Sequence, residues 1–114
     1  MNKYKRLKDI RENFSLLPGL RTGKDFDIAI EIGDHELRGM PLTHKQLMLL
    51  EIASQATVRR HIDDLVTKGT VVKHTHPDDQ RTIYFTLSKH THEYFDHFIN
   101  QLQDTVRSWK IQPR

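Results

Sequence analysis

The sequence predicts a mainly α fold that carries one small β-hairpin, and three observations predict it. Two short stretches, Thr43 to Leu50 and Ser54 to Gly69, each open on a helix-capping hydroxyl and stand only a few residues apart. Two strand-like runs follow, Thr70 to Thr75 and Thr82 to Leu87, separated by the polar, turn-forming HPDDQR. Apolar stripes at helical spacing lie at both ends of the chain. Two short helices joined by a tight turn and followed by a hairpin make a helix-turn-helix with a wing. The full expectation is a winged helix-turn-helix flanked by N- and C-terminal dimerisation helices. Its divisions are 1–20 for the first helix, 21–88 for the winged helix-turn-helix and 89–114 for the last helix.

Taken in order, residues 2–16 read as a helix, because Leu7, Ile10, Phe14 and Leu17 recur every three or four positions. Pro18-Gly19 breaks it. Residues 24–38, KDFDIAIEIGDHELR, carry two patterns at once. Phe26, Ile28, Ile30 and Ile32 alternate as in a strand, whereas Phe26, Ala29, Ile30, Gly33 and Leu37 form a helical stripe. The length of the element favours helix and leaves strand open. Gly39-Met40-Pro41 closes it. Thr43 and Gln46 have the spacing of a capping box, and Leu47 and Leu50 are expected to point inward. Ser54 caps the next helix, Val58, Ile62, Leu65 and Val66 form its buried face, and Gly69 supplies a left-handed stop. Ser88 caps a last helix from Lys89 to about Lys110, with the stripe Phe95, Phe98, Ile99, Leu102, Val106 and Trp109.

Bulk composition narrows the function classes. At 114 residues the chain is one domain by length. It has no cysteine, which excludes disulfides, zinc–thiolate sites and thiol nucleophiles. No apolar run reaches membrane-spanning length, so no membrane partner is expected. The basic opening MNKYKRLKDIRENF lacks the apolar stretch of a secretory signal, and the expectation is a cytoplasmic protein. The formal charge is +3 with eight histidines, and the pI is about 9.3, a balance that suits an anionic partner.

Charge placement is more informative than its sum. With Val58, Ile62 and Leu65 facing inward, the outward side of the first two turns carries Gln55, Ala56, Thr57, Arg59 and Arg60. Arginine forks to guanine, glutamine pairs with adenine, and small residues leave room in a major groove. The helix start, at Ser54, offers unpaired N–H groups to phosphate. Asp63 and Asp64 stand four residues behind the two arginines and can form surface ion pairs with them. Such pairs add only about 0.3–0.5 kcal/mol, and cation before anion is the weaker order in a helix. In the hairpin, Arg81 follows Asp78-Asp79, and an aspartate there can hold the arginine and shape the loop. The candidate DNA contacts are Thr43, Ser54, Gln55, Ala56, Thr57, Arg59, Arg60, Lys73, His76 and Arg81, with Asp79 bracing the wing.

These motifs resemble the MarR-type winged-helix transcriptional regulators over residues 25–100. The carriers are PLT at 41–43, S-x-x-T-V at Ser54 to Val58, LVTKGTVV at 65–72, and HPDDQRTIYFTLS at 76–88. The resemblance implies a homodimer with intertwined end helices and a recognition helix, here 54–68, in each of two successive major grooves. It further implies a minor-groove wing arginine, here Arg81, braced by Asp79. This chain departs from the pattern in three ways. Ile52-Ala53 stand where the family often has glycine, His76 stands where aspartate is common, and the chain is shorter than most members. Independently, the apolar end helices expose more surface than one winged helix can hide, and pairing two copies would bury it. Folding both helices back on their own domain is the alternative. A symmetric dimer implies half-sites about 10–10.5 bp apart.

Other chemistries find little support. His74, His76, His90, His92 and His97 cluster in sequence, but their spacing does not converge on a metal. They are expected to tune nucleic-acid affinity with pH. No G-x-S-x-G, phosphate loop or H-E-x-x-H occurs, so neither an enzyme nor a cofactor is expected. The sequence assigns no site for a small-molecule effector. The runner-up function is a winged-helix protein-interaction adaptor without DNA binding. RNA binding is third, since the sequence shows no aromatic stacking platform on a sheet.

Overall fold

The computed structural model of the chain describes residues 2–14, 19–20 and 22–111. Leu17 and Pro18, expected to end the first helix, lie outside the described residues. The element order is α1 (Lys3–Phe14), α2 (Gly23–Leu37), α3 (His44–Leu49), α4 (Gln55–Thr67), β1 (Val71–Thr75), β2 (Ile83–Leu87) and α5 (Lys89–Ile111). The chain divides into two compact units. One spans residues 19–92, and the other combines α1 with α5 from Glu93 onward.

In the first unit, α2 settles the ambiguity of residues 24–38 in favour of helix. Thr22 caps it, its hydroxyl accepting from the Asp25 N–H at 3.2 Å. The buried positions are Asp25, Ile28, Ala29, Ile32 and Gly33, which is helical spacing. Strand alternation fails at Ile30, which is 44% exposed. Gly33 is needed for close approach: a Cβ there would lie 2.8 Å from Leu87 Cδ1.

The capping box of α3 forms in both directions. Gln46 N–H donates to Thr43 Oγ1 at 3.1 Å, and Thr43 N–H donates to Gln46 Oε1 at 3.0 Å. Leu47 is buried as expected, but Leu50 is 40% exposed. The helix stops at Leu49, so Leu50 leaves the inward stripe and Met48 fills the second inward position. The turn to α4 pivots on Glu51 rather than on Ile52-Ala53. Glu51 has φ +55°, the left-handed region that side chains with a Cβ resist. Lys24 Nζ ties the same turn to α2 by donating to the Ile52 carbonyl at 2.9 Å. Glu51→Gly is expected to stabilise the unit by about 0.5–1 kcal/mol, because only glycine adopts this φ freely. A rise in the urea midpoint with unchanged slope would bear this out, and a fall would contradict it.

Helix α4 opens where Ser54 Oγ accepts from the Thr57 N–H at 3.2 Å. Val58, Ile62 and Leu65 are at most 1% exposed, whereas Val66 is half-buried. Gly69 closes the helix at φ +77°. Its N–H donates to Val66 O, and the Thr70 N–H donates to Leu65 O, both at 3.0 Å, which satisfies the last carbonyls. The hairpin is antiparallel, with Val71 opposite Leu87, Lys73 opposite Phe85 and His74 opposite Tyr84. Val71, Phe85 and Leu87 face the core. The segment before α3 lies along the other edge of β2, through Phe85 N–H to Leu42 O at 2.9 Å and a Thr43–Tyr84 bridge. The first turn of α5 also belongs to this unit. Thr91 Oγ1 donates to Thr70 O at 2.8 Å, and Glu36 Oε1 accepts from the Leu87 N–H at 2.8 Å.

In the second unit, α1 and α5 meet through Phe14 and Phe98, whose ring centroids are 5.1 Å apart. Asn13 Nδ2 donates to Thr105 Oγ1 at 3.3 Å, and Arg6 lies 5.3 Å from the Trp109 ring centre. Of the expected α5 stripe, Phe98 is buried, Phe95, Leu102, Val106 and Trp109 are half-buried, and Ile99 is exposed. Asp9 accepts from Lys5 Nζ at 2.9 Å and from Trp109 Nε1 at 3.4 Å. The lysine hydrogen bond is the main cause holding the Asp9 carboxyl below the ordinary carboxylate range, with Trp109 adding to it. A depressed carboxyl contributes its stability above the unfolded pKa and loses it as pH falls through the folded one. Trp109 is the single tryptophan of the chain. Its emission is therefore expected to change at a pH below the usual carboxylate value of about 3.9, and Asp9→Asn is expected to abolish that step. A step unchanged in the variant would assign it to another group.

Candidate nucleic-acid interface

Helix α4 presents an outward face because its inward face is saturated. At about 100° per residue, burying Val58, Ile62 and Leu65 leaves Gln55, Ala56, Arg59 and Arg60 exposed and Thr57 half-buried. Ser54 and Thr57 spend part of their capacity on the cap, since Ser54 Oγ also donates to Thr57 Oγ1 at 2.9 Å. The two arginines are not tied down. Among the described residues neither forms a hydrogen bond or an ion pair, so the expected pairs Arg59–Asp63 and Arg60–Asp64 do not form. Asp64 instead takes Lys68 Nζ at 2.6 Å, the acid-first order that a helix favours.

The hairpin brings further cations to the same side. An open concavity of about 720 Å³ lies between α3, α4 and the wing, lined by Lys45, Arg59, Asp63, Lys73 and Arg81. Thr43 and His44 also line it, and His44 packs against Phe85 with ring centres 6.2 Å apart. Four cations, from α3, α4, β1 and the wing loop, thus meet around one hollow. They outnumber the single carboxylate of Asp63 in the lining, which leaves the local potential positive and attracts an anion.

Asp79 shapes the wing. It holds the backbone of Arg81 and not its guanidinium: the Arg81 N–H donates to Asp79 Oδ1 at 3.0 Å, and Thr82 Oγ1 donates to Oδ2 at 3.0 Å. A carboxylate two residues upstream reaches the main chain before it can reach the end of a long side chain. Arg81 is therefore exposed and available to an outside partner.

Several histidines make specific contacts within this unit. His74 stacks on Tyr84 with centroids 4.8 Å apart and bonds Thr86 Oγ1 at 2.7 Å. His92 Nε2 sits 2.9 Å from both carboxylate oxygens of Glu36. His76, exposed on the wing, accepts the Asp78 N–H on Nδ1 at 3.2 Å. Among the described residues no group of three or more histidines and carboxylates converges on a metal position.

The sequence reading missed two participants. His61 Nδ1 lies 2.7 Å from Oδ1 of Asp25, a carboxylate only 2% exposed, and this pair pins α4 to the start of α2. Lys45 joins the concavity because the capping box turns the first turn of α3 toward it. A lysine just inside a capped helix was the only available signal.

No protein-family model and no curated protein matches the sequence. Solved structures do match. A mutant of S. aureus MepR bound to an oligodeoxyribonucleotide superposes with TM-score 0.78 at 12% identity, over 97% of this chain and 78% of that one. A cysteine-to-serine mutant of E. coli MarR complexed with operator DNA gives TM-score 0.65 at 21% identity, over 92% and 71%. A transcriptional regulator from Thermotoga maritima gives 0.64 at 19% identity, over 93% and 68%. At these identities the likeness concerns the fold, and the chain has the winged-helix fold of the MarR-type regulators.

Proposed function

We propose that this chain is a sequence-specific, double-stranded-DNA-binding transcriptional regulator that acts as a homodimer on an inverted-repeat site. The observation that carries the reading is the joint exposure of the α4 front and the wing. Arg59, Arg60, Lys73 and Arg81 are all exposed, three of them line one concavity, and none forms an ion pair among the described residues. Gln55, Ala56 and Arg60 would face base edges, while Ser54, Lys73 and the helix start would hold phosphates. Thr43, Thr57 and His76 would add polar groups that are partly committed to local hydrogen bonds, and Arg81 would reach a minor groove. Among the structurally similar proteins are a MepR bound to an oligodeoxyribonucleotide and a MarR complexed with operator DNA.

Support for the dimer comes from the α1–α5 unit taken by itself. Among its described residues only Asn13 and Phe98 are buried, while Tyr4, Leu7, Phe14, Tyr94 and Ile99 stay exposed. Two helices with so little interior gain stability by covering those side chains with a second copy. Selection of bound sequences from random duplexes tests the whole reading. The expected result is a symmetric motif with half-site centres about 10–10.5 bp apart, and affinity that falls steeply with salt. Stoichiometric capture of an acidic protein that duplex DNA cannot displace would favour the adaptor function instead.

A further inference from the structure

Asp63 is out of place on a surface otherwise built for an anion. Side chains along α4 turn by about 100° each. Ala56, Arg60, Asp63 and Thr67 therefore follow one another down the side opposite Val58, Ile62 and Leu65, and all four are exposed. Asp63 also lines the concavity shared by Arg59, Lys73 and Arg81. Its neighbour Asp64 is occupied by Lys68 at 2.6 Å. Asp63 itself holds no hydrogen bond or ion pair among the described residues. It is neither a cap nor a counter-ion, and it points where a duplex would dock.

A carboxylate at such a point has two consequences. It repels any phosphate brought near it, which weakens docking in a wrong register. It can only accept hydrogen bonds, so on a base edge it needs an amino group, and the fitting major-groove partner is cytosine N4. Resting on the duplex-DNA reading above, we propose that Asp63 is a specificity-determining residue. It accepts from cytosine N4 in the bound site and disfavours duplexes that place no such group before it.

The test is random-duplex selection followed by titration, run on the wild type, Asp63→Asn and Asp64→Asn. The wild type is expected to select cytosine at one position of each half-site. Asp63→Asn is expected to exchange that preference for adenine, because an amide pairs with adenine N6 and N7. Its affinity for a scrambled duplex is expected to rise about fivefold, the scale of one like-charge contact in water. Asp64→Asn removes the same charge from the lysine-paired flank and is expected to leave the base preference intact. An Asp63→Asn protein with the wild-type motif overturns the inference, and so does an Asp64→Asn protein that loses cytosine equally. A wild type that binds with no cytosine preference overturns this inference alone. A wild type without salt-dependent duplex binding overturns the DNA reading as well, and is recognised before any variant is made.

Discussion

Phe85→Ala is expected to cost the winged-helix unit about 3–5 kcal/mol, a large part of the ~5–15 kcal/mol that a domain of this kind possesses. Phe85 is 2% exposed and ranks first by volume among the fully buried side chains. It sits in the middle of β2, opposite Lys73 on one side and hydrogen-bonded to Leu42 on the other. Removing the ring opens a void between α2, α3 and the hairpin that rigid backbone cannot close. It also takes away the surface against which His44 packs. The effect is read from denaturant unfolding followed by far-ultraviolet circular dichroism. Tyr84 is the control, since it is adjacent in sequence but half-buried on the other face. Tyr84→Ala is expected to cost clearly less, and equal losses would place the core on the wrong face of the hairpin.

The second large effect is on binding. Arg60→Ala is expected to weaken a selected duplex by about 1–3 kcal/mol, roughly 5- to 150-fold, and to relax the preference at one base position. Lys73→Ala is expected to weaken all duplexes alike and to lower the logarithmic salt slope by about 0.9, the signature of one lost phosphate contact. Both side chains are exposed and neither is ion-paired among the described residues, so stability is expected to stay within about 0.5 kcal/mol. Because stability is held constant, a change in affinity reads contact directly. If Arg60→Ala bound the selected site as well as the wild type does, the outward face of α4 would not be the reading surface.

Local signals suffice where a feature is closed by near neighbours in the chain. The Thr43–Gln46 capping box, the Ser54 cap and the Gly69 stop all stand in the structure as the sequence predicts. Each rests on hydrogen bonds spanning three to five residues, which the order of residue types nearly dictates. Expectations failed where a local geometry left two outcomes open. Leu50, expected inward, is exposed because the helix ends one residue early, and Met48 is buried instead. The left-handed residue of the turn is Glu51, where no glycine marks it. For Asp79 the expectation named the residue held, Arg81, and the structure specifies the atom, its backbone N–H.

By itself, then, the amino-acid order determined the helix pair, its caps, the hairpin and the outward placement of Arg59 and Arg60. Periodicity and capping are short-range, and they act before distant segments meet. The three-dimensional packing alone decided that residues 24–38 are helical, since only burial against α4 and β2 separates the two patterns they carry. It also decided that His61 closes on Asp25 and His92 on Glu36, across 36 and 56 residues. Lys45 and Asp63 came to share a hollow with the wing in the same way. Such pairings depend on where the chain crosses itself, and no spacing within one element encodes that.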